Sequence, residues 1–259
     1  MSIDKKLLEL DFLVFSSHKT ATQTLVSTLN CSGLRARHCH VLSNIGIERG
    51  ELPQYISEFT LENRRKLQII TVFRDPMERH ISSFFQWYGS KPLVRGEVQS
   101  ETDTIIYRKS IPELQKQFIT EVNSGTLVGL QESLEHICEE LKIANCELTY
   151  NESAQYGSYN HEHCDLYLLR FDELVRNLAN ILSRVSGRPV STIDKRNMSH
   201  NKWYSSLYRE FRDSLCMPAD IVKVIYESRA WLFQIFYPDK FEYMLDAALA
   251  KYSRVPRDS

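Results

Sequence analysis

The chain has no cysteine pair in C-x-x-C spacing, and none of its apolar runs approaches the roughly 18–20 residues that a membrane span requires. Its six cysteines, Cys31, Cys39, Cys138, Cys146, Cys164 and Cys216, are scattered. That usage suits free thiols in a reducing compartment. Charge of one sign is also lacking: the formal net charge is −1 over 259 residues. No global field therefore draws the protein to nucleic acid or to an anionic membrane, although a local basic pocket stays compatible with that balance. The first residues, "MSIDKKLLEL", are too charged for a secretion signal. These absences predict a cytoplasmic protein with no nucleic-acid partner and no membrane span; they say nothing about oligomeric state.

With 42% hydrophobic residues, the chain can bury one sizeable core. Residues 10–15, "LDFLVF", form a short continuous apolar run, as expected of a parallel strand covered on both faces. From Thr22 the pattern turns helical, with Leu25, Val26 and Leu29 on one side. A second strand, "QIITVF" at 68–73, ends in "RDP", where Asp75 can cap a helix and Pro76 can open it. That helix carries Met77, Ile81, Phe84, Phe85 and Tyr88 as a buried stripe. A third strand, "DLYLLRF" at 165–171, precedes a helix that Gly187 can close, and residues 111–145 read as amphipathic helix. The alternation predicts an α/β fold: a single domain over 1–259 with a central parallel sheet flanked by helices. Polar stretches at 89–110 and 149–164 read as loops or lids.

Glycine is missing from one place where phosphate chemistry would demand it. "VFSSHKTATQTL", residues 14–25, runs from strand into helix around a lysine set among hydroxyls. Ligands of doubly wound sheets bind at the carboxyl ends of strands, where helix N-termini favour anions. Lys19 adds a full charge; Ser16, Ser17, Thr20, Thr22 and Thr24 add hydroxyls, some of which can equally cap the helix. A nucleoside-triphosphate loop needs glycines to wrap a phosphate chain, and "SSHKTATQ" has none. A shorter turn holding one anionic group fits better. In "RDPMERHISSF", residues 74–84, Arg74 ends a strand and Ser82 follows on the helix. Together they could grip a second phosphate, the guanidinium bidentately.

The two stretches together resemble the pair that marks the sulfotransferases using 3'-phosphoadenosine 5'-phosphosulfate (PAPS). The resemblance implies a P-loop-like sulfotransferase fold. It implies that Lys19, Thr20, Ala21, Thr22, Gln23 and Thr24 hold the 5'-phosphosulfate, and that Arg74 and Ser82 hold the 3'-phosphate. Ala21 stands where that loop usually has glycine. Arg79 matches an arginine of carbohydrate sulfotransferases in "RDPxxRxxS", which implies a contact to substrate. "LLRFDEL" at 168–174 is similar to a strand end of the same superfamily, and "NKWYS" at 201–205 to the signature of a bacterial group described as capsular polysaccharide synthesis proteins.

The resemblance implies a carbohydrate O-sulfotransferase that uses PAPS as co-substrate without a metal. Its acceptor would be a saccharide, free or lipid-linked, in the synthesis of capsular or other surface polysaccharide. Lys19 would stabilise the bridging oxygen as the bond to sulfur breaks. In "RHCHVLS", 37–43, the string "HCHV" resembles the H-x-H-V of heparan sulfate 2-O-sulfotransferases. It implies His40 as catalytic base with His38 in support. A strand histidine satisfied by backbone hydrogen bonds is the plainer account of the same residues. Lys202 fits a late basic loop that closes over the nucleotide. Tyr156 and Tyr159, in a polar stretch with amide and hydroxyl partners, suit sugar binding or simply an ordered loop. His161, His163 and Cys164, with His38 or His40, raise a zinc site, but the H-x-H-C spacing matches no standard finger; no metal is assigned. The competing functions are a nucleotide kinase-like phosphotransferase with a divergent loop and a non-catalytic nucleotide-binding protein of the same fold.

Overall fold

The structure, a computed structural model, describes residues 9–88, 110–125, 132–191, 193–194 and 204–253, with the side chains of Trp87 and Tyr88 excepted. It holds a six-stranded sheet in the order β2–β1–β3–β6–β5–β4 and ten α-helices among those residues. The strands are β1 (Phe12–Phe15), β2 (Ala36–Cys39), β3 (Leu67–Phe73), β4 (Tyr150–Asn151), β5 (Tyr156–Asn160) and β6 (Cys164–Arg170). Internal contacts group the chain into two compact units.

The first unit comprises residues 1–74, 131–197 and 235–237. It carries the sheet with α1 (Thr22–Cys31), α2 (Leu52–Asn63), α5 (Ser133–Leu141) and α6 (Phe171–Ser186). Phe12 and Val14 of β1 join Ile70 and Val72 of β3 in a core beneath Leu25 and Leu29 of α1 and Leu174, Leu178, Ile181 and Leu182 of α6. Because side chains alternate along a strand, Leu13 and Phe15 point to the opposite face, and both are fully buried. α2 packs against β3 and against α5. Cover on both faces is why β1 and β3 read as unbroken apolar runs. Gly187 closes α6 in the left-handed conformation, φ 65°, as the sequence suggests.

The sheet is parallel only from β2 to β6. β5 pairs antiparallel with β6, and β4 with β5. Residues 149–164, which read as a polar loop or lid, therefore contain a hairpin that extends the sheet. Asn151 starts its turn: its side-chain Oδ1 accepts the Ala154 N–H at 2.9 Å, and its carbonyl accepts the Gln155 N–H at 2.8 Å. Gly157 is needed there, since a Cβ on it would lie 2.3 Å from the Thr149 carbonyl oxygen.

The second unit, residues 75–130, 198–234 and 238–259, is helical among its described residues. It contains α3 (Pro76–Tyr88), α4 (Ile111–Asn123), α7 (Ser205–Ser214), α8 (Ala219–Glu227) and α10 (Phe241–Tyr252), with most of α9 (Ala230–Phe236). Ser110 caps α4 in a capping box with Glu113. The predicted stripe of α3 is buried at Met77, Ile81, Phe84 and Phe85. Phe84 meets Phe118 at 5.4 Å and Phe85 meets Phe211 at 5.1 Å between ring centroids, edge to face in both pairs. Of the polar stretch at 89–110, residues 89–109 lie outside the described residues.

Candidate active site at the strand ends

In the strand order, the chain goes from β1 outward to β2 and returns past β1 to β3, so the carboxyl ends of β1 and β3 flank a topological switch point. That is where open α/β sheets bind ligands. The loop from Ser16 to Ala21 leaves β1 at this point. Its hydroxyls zip the strand ends together. The Val72 N–H donates to Ser16 Oγ at 3.0 Å; Ser16 Oγ lies 2.8 Å from Thr20 Oγ1, which donates to the Ser17 carbonyl at 2.6 Å. Ser16 and Thr20 are fully buried. The hydroxyl of Thr20 thus holds the loop's own shape. Ser17 Oγ accepts the N–H of Ser133, the first residue of α5, at 3.1 Å and donates to Glu132 at 3.4 Å.

Without glycine, the loop still takes a glycine-like path. Lys19 has φ 68° and Ala21 φ 62°, both left-handed, with Thr20 between them. Such alternation turns successive N–H groups toward one side, a concavity suited to anions. Ala21 is the N-cap of α1 and offers no side-chain acceptor to the first turn, which also contains no acidic residue. The positive end of the helix is therefore left for something else to satisfy. Left-handed alanine costs about 1–2 kcal/mol, while glycine would add about 0.5–1 kcal/mol of unfolded-state entropy. Ala21→Gly should accordingly leave thermal stability unchanged or raise it by up to about 1 kcal/mol, a few degrees in Tm. A marked fall in Tm would contradict a left-handed backbone at this position.

Arg74, the residue after β3, reaches this loop. Its Nη1 donates to the Lys19 carbonyl at 2.9 Å, and its guanidinium carbon lies 4.3 Å from the ring centroid of Phe171. Its Nε is buried and has no hydrogen-bond partner among the described residues. A buried N–H left unpaired costs roughly 1–3 kcal/mol, which an acceptor reaching Nε would offset.

Parallel pairing sets Val14 opposite His38 and Phe15 opposite Cys39, which carries His40 to the level of Ser16 just past the strands. The carbonyl of Ser16 accepts from His40 Nδ1 at 2.6 Å. Because a carbonyl can only accept, the proton sits on Nδ1 and Nε2 keeps its lone pair. Burial lowers the His40 pKa below its usual 6.5; the Ser16 carbonyl opposes this, and charge on His38 and Lys19 reinforces it. His38 is lowered as well, by burial and then by the Arg37 charge. Its ring meets His40 edge to face, 5.4 Å away.

Residue-by-residue reading of the sequence missed three parts of this site. The His18 ring packs against His40, tilted by 30° with ring centroids 3.8 Å apart; Phe171 backs Arg74; Glu132 receives Ser17. Only the position of His18 next to Lys19 could have drawn attention to it. The remaining expected site residues are placed as follows. Ser82 is half-buried on α3 in the second unit, and Arg79, on the same helix, is only 2% exposed. Tyr156 and Tyr159 are three residues apart on β5, so they project from opposite faces of the sheet. Tyr156 meets Tyr167, and Tyr159 donates to Glu147 at 3.2 Å. Lys202 lies outside the described residues. His161 and His163 form a turn, 6.4 Å between ring centroids, entered by a Cys164 whose thiol is pushed up to about 12 by burial. Among the described residues no three histidine, cysteine or carboxylate groups converge to hold a metal, and no helix is long and apolar enough to cross a membrane.

Asp75, which would have to bind Mg²⁺ in a kinase, is committed to structure. Its Oδ1 caps α3 through the Glu78 N–H at 2.9 Å, and its Oδ2 accepts from Tyr226 Oη at 2.6 Å. Comparison with protein-family models, with curated proteins and with solved structures found no match.

Proposed function

We propose that this chain is a sulfotransferase of P-loop-like fold that moves the sulfuryl group of PAPS to a hydroxyl of a carbohydrate acceptor. The observation that carries the reading is the junction at the switch point. Lys19 and an uncapped helix N-terminus leave β1, Arg74 leaves β3, and the two are joined by the 2.9 Å bond from Arg74 to the Lys19 carbonyl. Two cations and one set of helix amides then suit a ligand with two separated anionic groups. In this reading PAPS supplies the transferable sulfuryl group. The amides at the start of α1 bind its 5'-phosphate, Lys19 faces the bridging oxygen where charge develops, and Arg74 takes the 3'-phosphate through its unpaired Nε. His40 Nε2 removes the proton of the acceptor hydroxyl while Nδ1 stays fixed on Ser16. His18, packed against that ring, limits its rotation. The commitment of both Asp75 oxygens disfavours the kinase-like alternative.

Equilibrium binding of 3',5'-ADP in EDTA, set against ATP with Mg²⁺, tests the proposal. The chain should bind 3',5'-ADP without metal. Arg74→Ala should weaken that binding roughly tenfold to a hundredfold, the worth of a charge-assisted hydrogen bond in a partly buried site. Preference for ATP with Mg²⁺, or an Arg74→Ala variant that binds 3',5'-ADP like wild type, would remove the reading.

A further inference from the structure

The second unit contains a cavity of about 380 Å³ that the anion site does not use. Its size falls within the roughly 300–1,000 Å³ of small-molecule sites. His80 of α3, Asn123 at the end of α4, Asp220, Ile221 and Val224 of α8, and Arg229 beyond it contribute to its lining. His80 is 5% exposed, and neither of its ring nitrogens has a hydrogen-bond partner among the described residues. Two unpaired nitrogens on one buried ring are a substantial cost, which a ligand that pairs them would offset.

The chemistry around the ring narrows that ligand. Burial, followed by the charges of Arg229 and Arg79, lowers the His80 pKa to about 3. The ring is therefore neutral near pH 7, with one nitrogen donating and the other accepting. A hydroxyl group is both acceptor and donor and meets both needs. The polar lining is mixed in the same way: an amide at Asn123, a carboxylate at Asp220 and a guanidinium at Arg229. A phosphate site would gather donors, and a metal site would gather acceptors. Beside these groups Ile221 and Val224 form an apolar strip, and Val224 is 63% exposed on the solvent side of α8. A hydroxylated edge and an apolar face on one small body describe a pyranose ring.

We propose that this cavity binds a neutral saccharide unit, whose ring lies on Ile221 and Val224 and whose hydroxyls pair with His80, Asn123 and Asp220. Each His80 nitrogen has less than 1 Å² of accessible surface, so pairing with the sugar requires the ring to turn toward the cavity. The inference stands on the second unit alone and holds whether or not the first unit transfers sulfate.

The test is NMR of the full chain with ¹⁵N-labelled imidazoles, the His80 signals being assigned by their loss in His80→Leu. The probes are methyl α-glucopyranoside, methyl β-galactopyranoside and N-acetylglucosamine, with glucuronate and acetate as anionic controls. At least one neutral probe should shift the His80 signals saturably. Val224→Arg, a change at an exposed position, should weaken that binding roughly tenfold or more. His80→Leu replaces the unpaired nitrogens by an apolar group of similar size. It should fold at least as stably as wild type while losing the sugar, read by the probe's own line broadening. No saturable shift with any glycoside up to tens of millimolar, response to the anions alone, or undiminished binding in Val224→Arg would each overturn the proposal.

Discussion

Lys19→Ala is expected to slow sulfuryl transfer by about 10²–10³-fold at saturating donor, the usual loss when one contact to developing charge is removed. The backbone explains why so much rests on one side chain. Lys19 sits at φ 68° with its carbonyl held by Arg74, so its side chain starts from a fixed point of the loop after β1. In the proposed reaction that contact would strengthen only as the bond to the bridging oxygen breaks. The affinity for 3',5'-ADP should therefore fall far less than the rate. His40 adds a pH signature. Its lowered pKa puts the acidic limb of the rate below pH 6.5: activity is full while Nε2 is unprotonated and is lost as pH falls through the folded-state value. Removing the Lys19 charge takes away one of the influences holding that value down, so the limb should move to higher pH in Lys19→Ala. An unchanged rate, or equal losses of rate and 3',5'-ADP affinity, would show that Lys19 has no special part in the transfer step.

The second large effect concerns stability. Arg170 ends β6 and is only 3% exposed. Its two terminal nitrogens each reach one Glu152 oxygen at 2.8 Å, and Nη2 also donates to the Phe236 carbonyl. The guanidinium lies between the rings of Tyr150 and Tyr237, at 3.7 and 4.1 Å from their centroids. Arg170→Met leaves the Phe236 carbonyl unpaired and removes two cation–π contacts. Glu152, half exposed at 49%, can turn to water, so the full cost of breaking a buried pair does not apply. A loss of about 2–4 kcal/mol in urea unfolding is expected. Arg170→Lys should recover only part of it, because an ammonium cannot form the fork. If Arg170→Met unfolds within about 0.5 kcal/mol of wild type, the clamp contributes nothing beyond what a surface substitution would.

The same arginine shows where reading by residue type stops. "LLRFDEL" places Arg170 correctly at a strand end, but its partners come from the β4–β5 turn and from residue 236. Nothing local specifies either. The β4–β5 hairpin itself was illegible because its strands are short and polar, and its register depends on Gly157 passing the Thr149 carbonyl. Arg79 reads as a binding residue by spacing, and spacing alone does not show that it is only 2% exposed on α3.

Elements whose cause lies within a few neighbouring residues were fixed by the sequence alone. The apolar runs of β1, β3 and β6 follow from burial on both faces. The starts of α1 and α3 follow from the Thr22 pattern and the Asp75–Pro76 cap, and the end of α6 from Gly187. The convergence of Lys19, Arg74, His40 and His18 was decided by the tertiary structure, because it depends on strand order and register between segments up to 55 residues apart. Pairing β1 with β2 on one side and β3 on the other carries three otherwise separate stretches to the carboxyl ends of the strands. A hydrogen-bond ladder is cooperative and non-local, so no single stretch of the chain encodes it.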